Sequence, residues 1–161
     1  MTSNKGFTLI EILIVLVIIG ITLSFAFVAF GDFGSSKKIL YAAEQFEHTI
    51  KAAQQQAIIE NTTLGLQINR SSYQFLKLQN GTQWQSIVSS NPLFKIHYFP
   101  KDLIVTIKQS IKKNKSNLSI IINSAGETTP FSLTFGTHQT AKIAELSGAS
   151  NGVLHFEKVS E

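Results

Sequence analysis

Gly6-Phe7-Thr8-Leu9-Ile10-Glu11 opens an apolar run that continues through Ile12-Leu13-Ile14-Val15-Leu16-Val17-Ile18-Ile19 to Phe30, and Glu11 is its one charged side chain. At 1.5 Å per residue, a helix over Phe7–Phe30 reaches roughly 36 Å, against a bilayer hydrocarbon core of about 30 Å. The run is therefore long enough to span a membrane. A cleaved secretory signal would also place a basic residue, here Lys5, before an apolar segment, with Ser24-Phe25-Ala26 as a small-x-small cleavage site. Two features disfavour that reading. The run exceeds the roughly 7 to 15 residues of a signal core, and it carries a carboxylate near its start. A carboxylate in lipid costs on the order of a few kcal/mol at mid-depth and less near the edge, so Glu11 requires a cationic partner.

Lys5-Gly6-Phe7-Thr8-Leu9-Ile10-Glu11 resembles the processing motif of type IV pilins and type II secretion pseudopilins. The resemblance implies that residues 1–6 are a leader, removed by a prepilin peptidase between Gly6 and Phe7, and that the new Phe7 amine is N-methylated. It also implies a partner for Glu11: the Phe7 amine of a neighbouring subunit, met as apolar helices bundle into a filament. The electrostatics stand apart from the family, because opposite charges paired in a low-dielectric bundle offset the penalty of either alone and favour one register.

The expected organisation is a leader (1–6), a membrane-spanning and filament-core helix (7–30) and a pilin-like domain (31–161) large enough for a core of its own. Charge does not fix the topology, since Lys5 and the initial amine on one side are opposed by Lys37 and Lys38 on the other, with Asp32 against them. The resemblance implies a single-pass protein of the bacterial inner membrane with its carboxy-terminal domain in the periplasm. The chain has no cysteine, which excludes a disulfide framework, a thiol nucleophile and thiolate zinc sites.

Gly31-Asp32-Phe33-Gly34-Ser35-Ser36 reads as a loosened helix turn or a true break. An amphipathic helix is predicted over about 37–60. Ile39, Ala43, Phe46, Ile50, Ala53 and Ala57 recur at alternating steps of four and three, and Lys38, Glu44, Glu47, Lys51, Gln54 and Gln55 occupy the other faces. The first proline is Pro92, so nothing earlier forces a proline kink.

From Thr63 the period changes to two, and a β region is predicted over about 63–159. Leu64, Leu66 and Ile68 alternate with polar or small residues, Asn69–Ser72 reads as a turn, and Tyr73 to Leu78 follow as a second strand. Asn80-Gly81 is the strongest hairpin signal, leading into 82–87. Further strands are predicted at 94–99, 104–108, 118–122, 131–135, 142–146 and 153–159. One long helix followed by seven or more short strands is an α+β pattern. The count favours two small antiparallel sheets or a sandwich over one meander. In the pilin family the membrane helix and the amphipathic segment form one long helix, packed on antiparallel β-sheets.

The tail narrows the resemblance. Ile120-Ile121-Ile122-Asn123-Ser124-Ala125-Gly126-Glu127-Thr128-Thr129-Pro130-Phe131 is similar to a strand, glycine turn, Thr-Pro, strand segment of the minor pseudopilin H group, and Ser147–Leu154 is similar to its glycine-containing turn before the last strand. Gly126 can adopt positive φ in a hairpin, and Pro130 is tolerated at a strand's first residue. Where the group often has an aromatic residue and a proline before the turn, this chain has Ile122 and Ser124.

No constellation indicates an enzyme, a cofactor or a metal. His48, His97, His138 and His155 lack helical ligand spacing and accompanying carboxylates. Neither a nucleophile elbow nor a phosphate-cradling glycine loop is present. Nothing corresponds to the acidic calcium loop of the major pseudopilins, because the only aspartates are Asp32 and Asp102. Lys112, Lys113 and Lys115, within Lys108–Ser116, would attract phosphate on a chain of net charge +4. A solvated hairpin loop is the better account, since Arg70 is the only arginine and phosphate binders exploit the guanidinium fork. Trp84 and Tyr98 are read as core residues rather than stacking platforms.

The resemblance thus implies a structural subunit, a minor pseudopilin H-like component near the tip of a type II secretion pseudopilus. Its partners would be other major and minor pseudopilins, the prepilin peptidase and the inner membrane, with secreted cargo a further candidate and DNA not expected. The alternative is a minor type IV pilin of the FimT or FimU kind, priming pilus assembly or binding DNA for uptake.

Overall fold

The computed structural model of the chain describes residues 8–109 and 117–159, with side chains at 26–33, 35 and 109 outside that description. The chain divides into two compact units, Met1–Ser35 and Ser36–Glu161. One helix, α1 (Leu9–Ile59), runs through both. The backbone stays helical across residues 31–36, so the true break is not formed. Glycine in a helix interior costs only about 0.5–1 kcal/mol relative to alanine, too little to end a helix by itself.

Within the second unit, all six stripe residues of α1 (Ile39, Ala43, Phe46, Ile50, Ala53 and Ala57) are buried. Three alanines in the stripe let backbones approach, and Ile39, Phe46 and Ile50 supply its large side chains. The helix ends where Asn61 takes the left-handed conformation (φ 47°). There the Thr62 amide donates to the Ala57 carbonyl at 2.9 Å, and the Asn61 amide to that of Ile58 at 3.2 Å. These bonds satisfy carbonyls that the last turn leaves without partners.

Among the described residues, nine strands form two antiparallel sheets. The first contains β1 (Leu64–Ile68), β2 (Ser72–Gln79), β3 (Gln83–Ser86), β4 (His97–Tyr98) and β6 (Ile120–Ile122), in the order β3-β2-β1-β6, with β4 also pairing β2. The second contains β5 (Ile104–Gln109), β7 (Phe131–Gly136), β8 (Ala144–Gly148) and β9 (Leu154–Lys158), in the order β5-β7-β8-β9. The β2–β3 hairpin closes at Asn80 (φ 51°) and Gly81 (φ 69°), with the Thr82 amide donating to the Gln79 carbonyl. This is the asparagine-glycine chemistry the sequence indicates.

Residues 94–99 are not the continuous strand the sequence suggests. Asn91 caps a 3-10 turn over Pro92–Phe94 by accepting from the Leu93 amide at 3.0 Å, and only His97 and Tyr98 pair as strand. Proline at the first helical position lacks only an amide that would be unpaired there anyway, which favours the turn over an extended start.

The two sheets share a core built on the helix. Leu64, Leu66 and Phe75 from the first sheet and Leu133, Phe135 and Leu146 from the second join the α1 stripe in one buried cluster. The Phe46 ring lies 4.7 Å from that of Tyr73, edge-on, and 5.7 Å from that of Phe135, also edge-on. Such edge-to-face pairs contribute about 0.5–1.5 kcal/mol beyond area burial. Phe46 thus touches both sheets from the helix.

Candidate assembly segment and turn clamp

Two features of the chain are candidates for function: the apolar amino-terminal segment and the turns at the carboxy-terminal end of α1. In the first unit, every described side chain from Thr8 to Phe25 is exposed, including Leu9, Leu13, Leu16 and Phe25. Glu11 sits in the first turn of α1, where the positive end of the helix dipole favours a carboxylate. It makes no ion pair among the described residues. So much exposed apolar surface is unfavourable in water, and covering it would strip the Glu11 carboxylate of its hydration unless a cation came with the cover. Gly6 and Phe7, the expected processing residues, lie outside the described residues, as do Lys112, Lys113 and Lys115. Among the described residues, no helix is long and apolar enough to cross a membrane. The described side chains of the apolar run stop at Phe25.

At the other end of α1, two glycine turns converge. The β6–β7 connection turns at Asn123–Gly126, where Gly126 has φ 80° and its amide donates to the Asn123 carbonyl at 3.0 Å. The Asn123 side-chain oxygen accepts from the amides of Ala125 (2.9 Å) and Glu127 (3.0 Å), a local bonding pattern that asparagine favours. The β8–β9 turn closes at Gly152, also at φ 80°. A side chain there would strike the Gly126 carbonyl, so the two turns are in direct contact.

Gln54 joins them to the helix. Its Nε2 donates to the Gly152 carbonyl at 2.7 Å and to the Gly126 carbonyl at 3.0 Å. Thr128, buried, donates to the Ala149 carbonyl at 2.9 Å. Thr129 pairs twice with Ile121, its amide donating to the Ile121 carbonyl and its hydroxyl accepting from the Ile121 amide. Pro130, with no amide to give, directly precedes β7. Thr128-Thr129-Pro130 therefore hands the chain from the first sheet to the second. The periodicity sets Gln54 on a face other than the apolar stripe, yet it is half-buried. Its position four residues after Ile50 and three before Ala57 sets it on the border of the buried stripe, the one sign of its role.

Ion pairs brace the same body. Lys77 of β2 meets Glu60 at 2.9 Å and Gln56 donates to the other Glu60 oxygen at 2.6 Å, which together hold the Glu60 carboxyl below its ordinary range. Lys142 and Ser132 do the same for Glu145, at 2.6 and 2.7 Å, and Lys142 is raised in return. Burial pushes the Tyr73 phenol up. The His97 ring stacks on Tyr73 at 4.8 Å, and its buried Nε2 has no hydrogen-bond partner among the described residues. Trp84 is half-buried, but Tyr98, read as core, is 77% exposed, because a two-residue edge strand covers neither of its faces fully. Among the described residues, no cluster of three histidines and carboxylates is placed to hold a metal.

A family model described as "Type II transport protein GspH" matches residues 42–152, and the prokaryotic N-terminal methylation motif matches residues 1–27. The chain belongs to the GspH family. It is 26% identical over 148 residues to the type II secretion system protein H of Pseudomonas aeruginosa, with 83% of each chain covered. It is 23% identical over 147 residues to that of Aeromonas hydrophila, covering 81% of this chain and 80% of the relative. The fold is similar to the crystal structure of the minor pseudopilin EpsH of Vibrio cholerae, with a TM-score of 0.66 at 17% identity over 79% of this chain and 98% of that one. The pilin-like α+β architecture expected from the sequence is the one observed. In this GspH-family chain the matched region holds Gln54, both glycine turns and the Thr128–Pro130 crossover, whereas Glu11 falls within the methylation motif.

Proposed function

We propose that the chain is a minor pseudopilin of a type II secretion pseudopilus, a structural subunit whose work is assembly. Residues 1–6 are its leader, and a prepilin peptidase cuts between Gly6 and Phe7. The segment 7–30 crosses the inner membrane once and later enters the filament core, and residues 31–161 stand in the periplasm near the filament tip. The observation that carries this reading is the exposed apolar helix, with Glu11 in no ion pair among the described residues, joined to a body of the GspH family. Glu11 then pairs with the mature Phe7 amine of a neighbouring subunit, and other pseudopilins complete the apolar surface. The single span is counted on the whole run Phe7–Phe30, roughly 36 Å as a helix. The relatives named type II secretion system protein H, matched over most of their length, favour secretion over a FimT- or FimU-like pilus role.

The test is the intact mass and amino-terminal sequence of the protein recovered from bacterial membranes. A chain that begins at methylated Phe7 supports the reading, and Gly6→Leu, with a bulky side chain at the scissile bond, is expected to keep the full-length mass. A start near Phe27, or processing of Gly6→Leu at the normal site, would refute it.

A further inference from the structure

Three loops gather at one end of the second unit, and the direction of the strands identifies which end it is. Lys77 of β2 meets Glu60 at the close of α1, whereas Tyr73, four residues earlier on the strand, meets Phe46 and lies 3.5 Å from the Thr49 hydroxyl. β2 therefore runs beside the helix, and the β1–β2 turn at 69–71 lies beyond Phe46 in the direction of Ser36. β7 behaves alike. Thr128 is held at the Ala149 turn near Gln54, and Phe135 reaches Phe46, so the loop after β7, with His138, lies beyond Phe46 as well. The β4–β5 loop joins them, since β4 pairs with Ser72 and Tyr73 and the Phe99 ring lies 5.9 Å from that of Phe46.

These loops surround an open cleft of about 810 Å³ whose lining includes Arg70, Tyr98, Lys101, Ile104 and His138. Arg70 and Lys101 are exposed and make no ion pair among the described residues. Lys37 and Lys38 stand exposed on the first turn of this unit's helix. Asp102 is the carboxylate beside Lys101, and Asp32 precedes the lysine pair in sequence. With Glu44 the exposed carboxylate on this stretch of helix, the end of the body from which the chain leads back to the apolar run still carries an excess of positive charge, together with two exposed aromatic rings, Tyr98 and Tyr41. The run ends at Phe30, only a few residues before Ser36, so the connection is too short to hold this end far from whatever the run enters.

We infer that this end of the body is a docking surface for anionic phospholipid headgroups, with Arg70, Lys101, Lys37 and Lys38 taking the phosphates and Tyr98 and Tyr41 entering the interfacial layer. Tyrosine concentrates at that depth, and basic side chains gain from the negative surface potential. The inference rests on the membrane anchoring proposed above. It assigns the subunit a seated state before assembly, in which the β body is held against the bilayer rather than tethered loosely over it.

Because the chain lacks cysteine, a single introduced thiol gives a unique reporter. The full chain carrying Ser71→Cys at the cleft lip, labelled with an environment-sensitive fluorophore, is reconstituted in vesicles of phosphatidylcholine with and without phosphatidylglycerol. Ser71 and Thr82 are both exposed, and Thr82→Cys reports from the opposite end of β2. The Ser71 probe is expected to shift to the blue only with phosphatidylglycerol, to lose the shift at high salt, and to weaken about fivefold for each of Arg70→Gln and Lys101→Gln. The Thr82 probe is expected to stay unchanged. A chain that floats with both vesicles while the Ser71 probe remains in water overturns the docking surface and leaves the anchoring intact. A shift that survives both substitutions overturns the role of the two cations. A Ser71 signal that answers to an acidic polypeptide but to no vesicle assigns the surface to a protein partner instead. A chain that floats with neither vesicle refutes the anchoring itself.

Discussion

Replacing Gln54 with alanine removes one donor group that serves two carbonyls on two different turns. Each hydrogen bond contributes about 0.5–1.5 kcal/mol net, so their loss is worth about 1–3 kcal/mol. Alanine's higher helix propensity returns a few tenths of a kcal/mol at this position. The balance is a destabilisation of about 1–2.5 kcal/mol, which lowers the melting temperature by roughly 2–4 °C per kcal/mol in a chain of this size. Gln54→Glu keeps the shape but faces carboxylate oxygens toward two carbonyl oxygens, so it is expected to be worse than alanine. The assay is urea and thermal unfolding of the full chain in detergent, followed by far-ultraviolet circular dichroism, together with hydrogen exchange at the Gly126 and Gly152 amides. Both turn amides are expected to exchange faster in the two variants. If Gln54→Ala unfolds within ~0.3 kcal/mol of the parent chain, or if glutamate is tolerated as well as alanine, the clamp is not energetically significant and the turns hold themselves.

Glu11→Ala is expected to leave insertion and processing intact but to lower incorporation into filaments severely; normal incorporation in a filament pull-down would remove the charge-pairing argument. Phe46→Ala deletes the ring shared by both sheets and is expected to cost about 3–5 kcal/mol, read as a loss of cooperative unfolding or a large fall in midpoint. An effect under ~1 kcal/mol would mean that the sheets do not depend on it. Glu60 has its folded pKa held down, so its contribution is present above its unfolded pKa and fades as pH falls through the lower folded value. The pair is partly exposed, so the effect is below ~1 kcal/mol. Lys77→Gln should flatten that acid limb of the stability profile, and an unchanged limb would show the pair to be inert.

The helix stripe was legible in full because burial on a helix is periodic and local: six residues at steps of four and three are six buried residues. The Asn80-Gly81 turn was equally readable, since positive φ at two successive positions restricts the residue choice. The stretch 94–99 was misread because its apolar content does not distinguish a strand from a capped 3-10 turn, and the deciding signal, Asn91-Pro92, lies just before it. Tyr98 was misread for a related reason, as a two-residue edge strand gives an aromatic ring nowhere to be buried. Gln54 was missed because its partners are 72 and 98 residues away, and no local pattern records a contact of that separation. Glu11 stands out in the sequence because a lone carboxylate in an apolar run conflicts with its own surroundings.

The helix meets both sheets at Phe46 by aromatic packing, and some eight residues further along Gln54 bonds the β6–β7 connection and the β8–β9 turn. A force applied along the helix axis therefore reaches each sheet directly, in parallel, instead of passing from one to the other through the crossover at Thr128–Pro130. For a subunit whose proposed work is assembly into a filament, such an attachment shares an axial load between two fixings, and neither turn has to bear it alone.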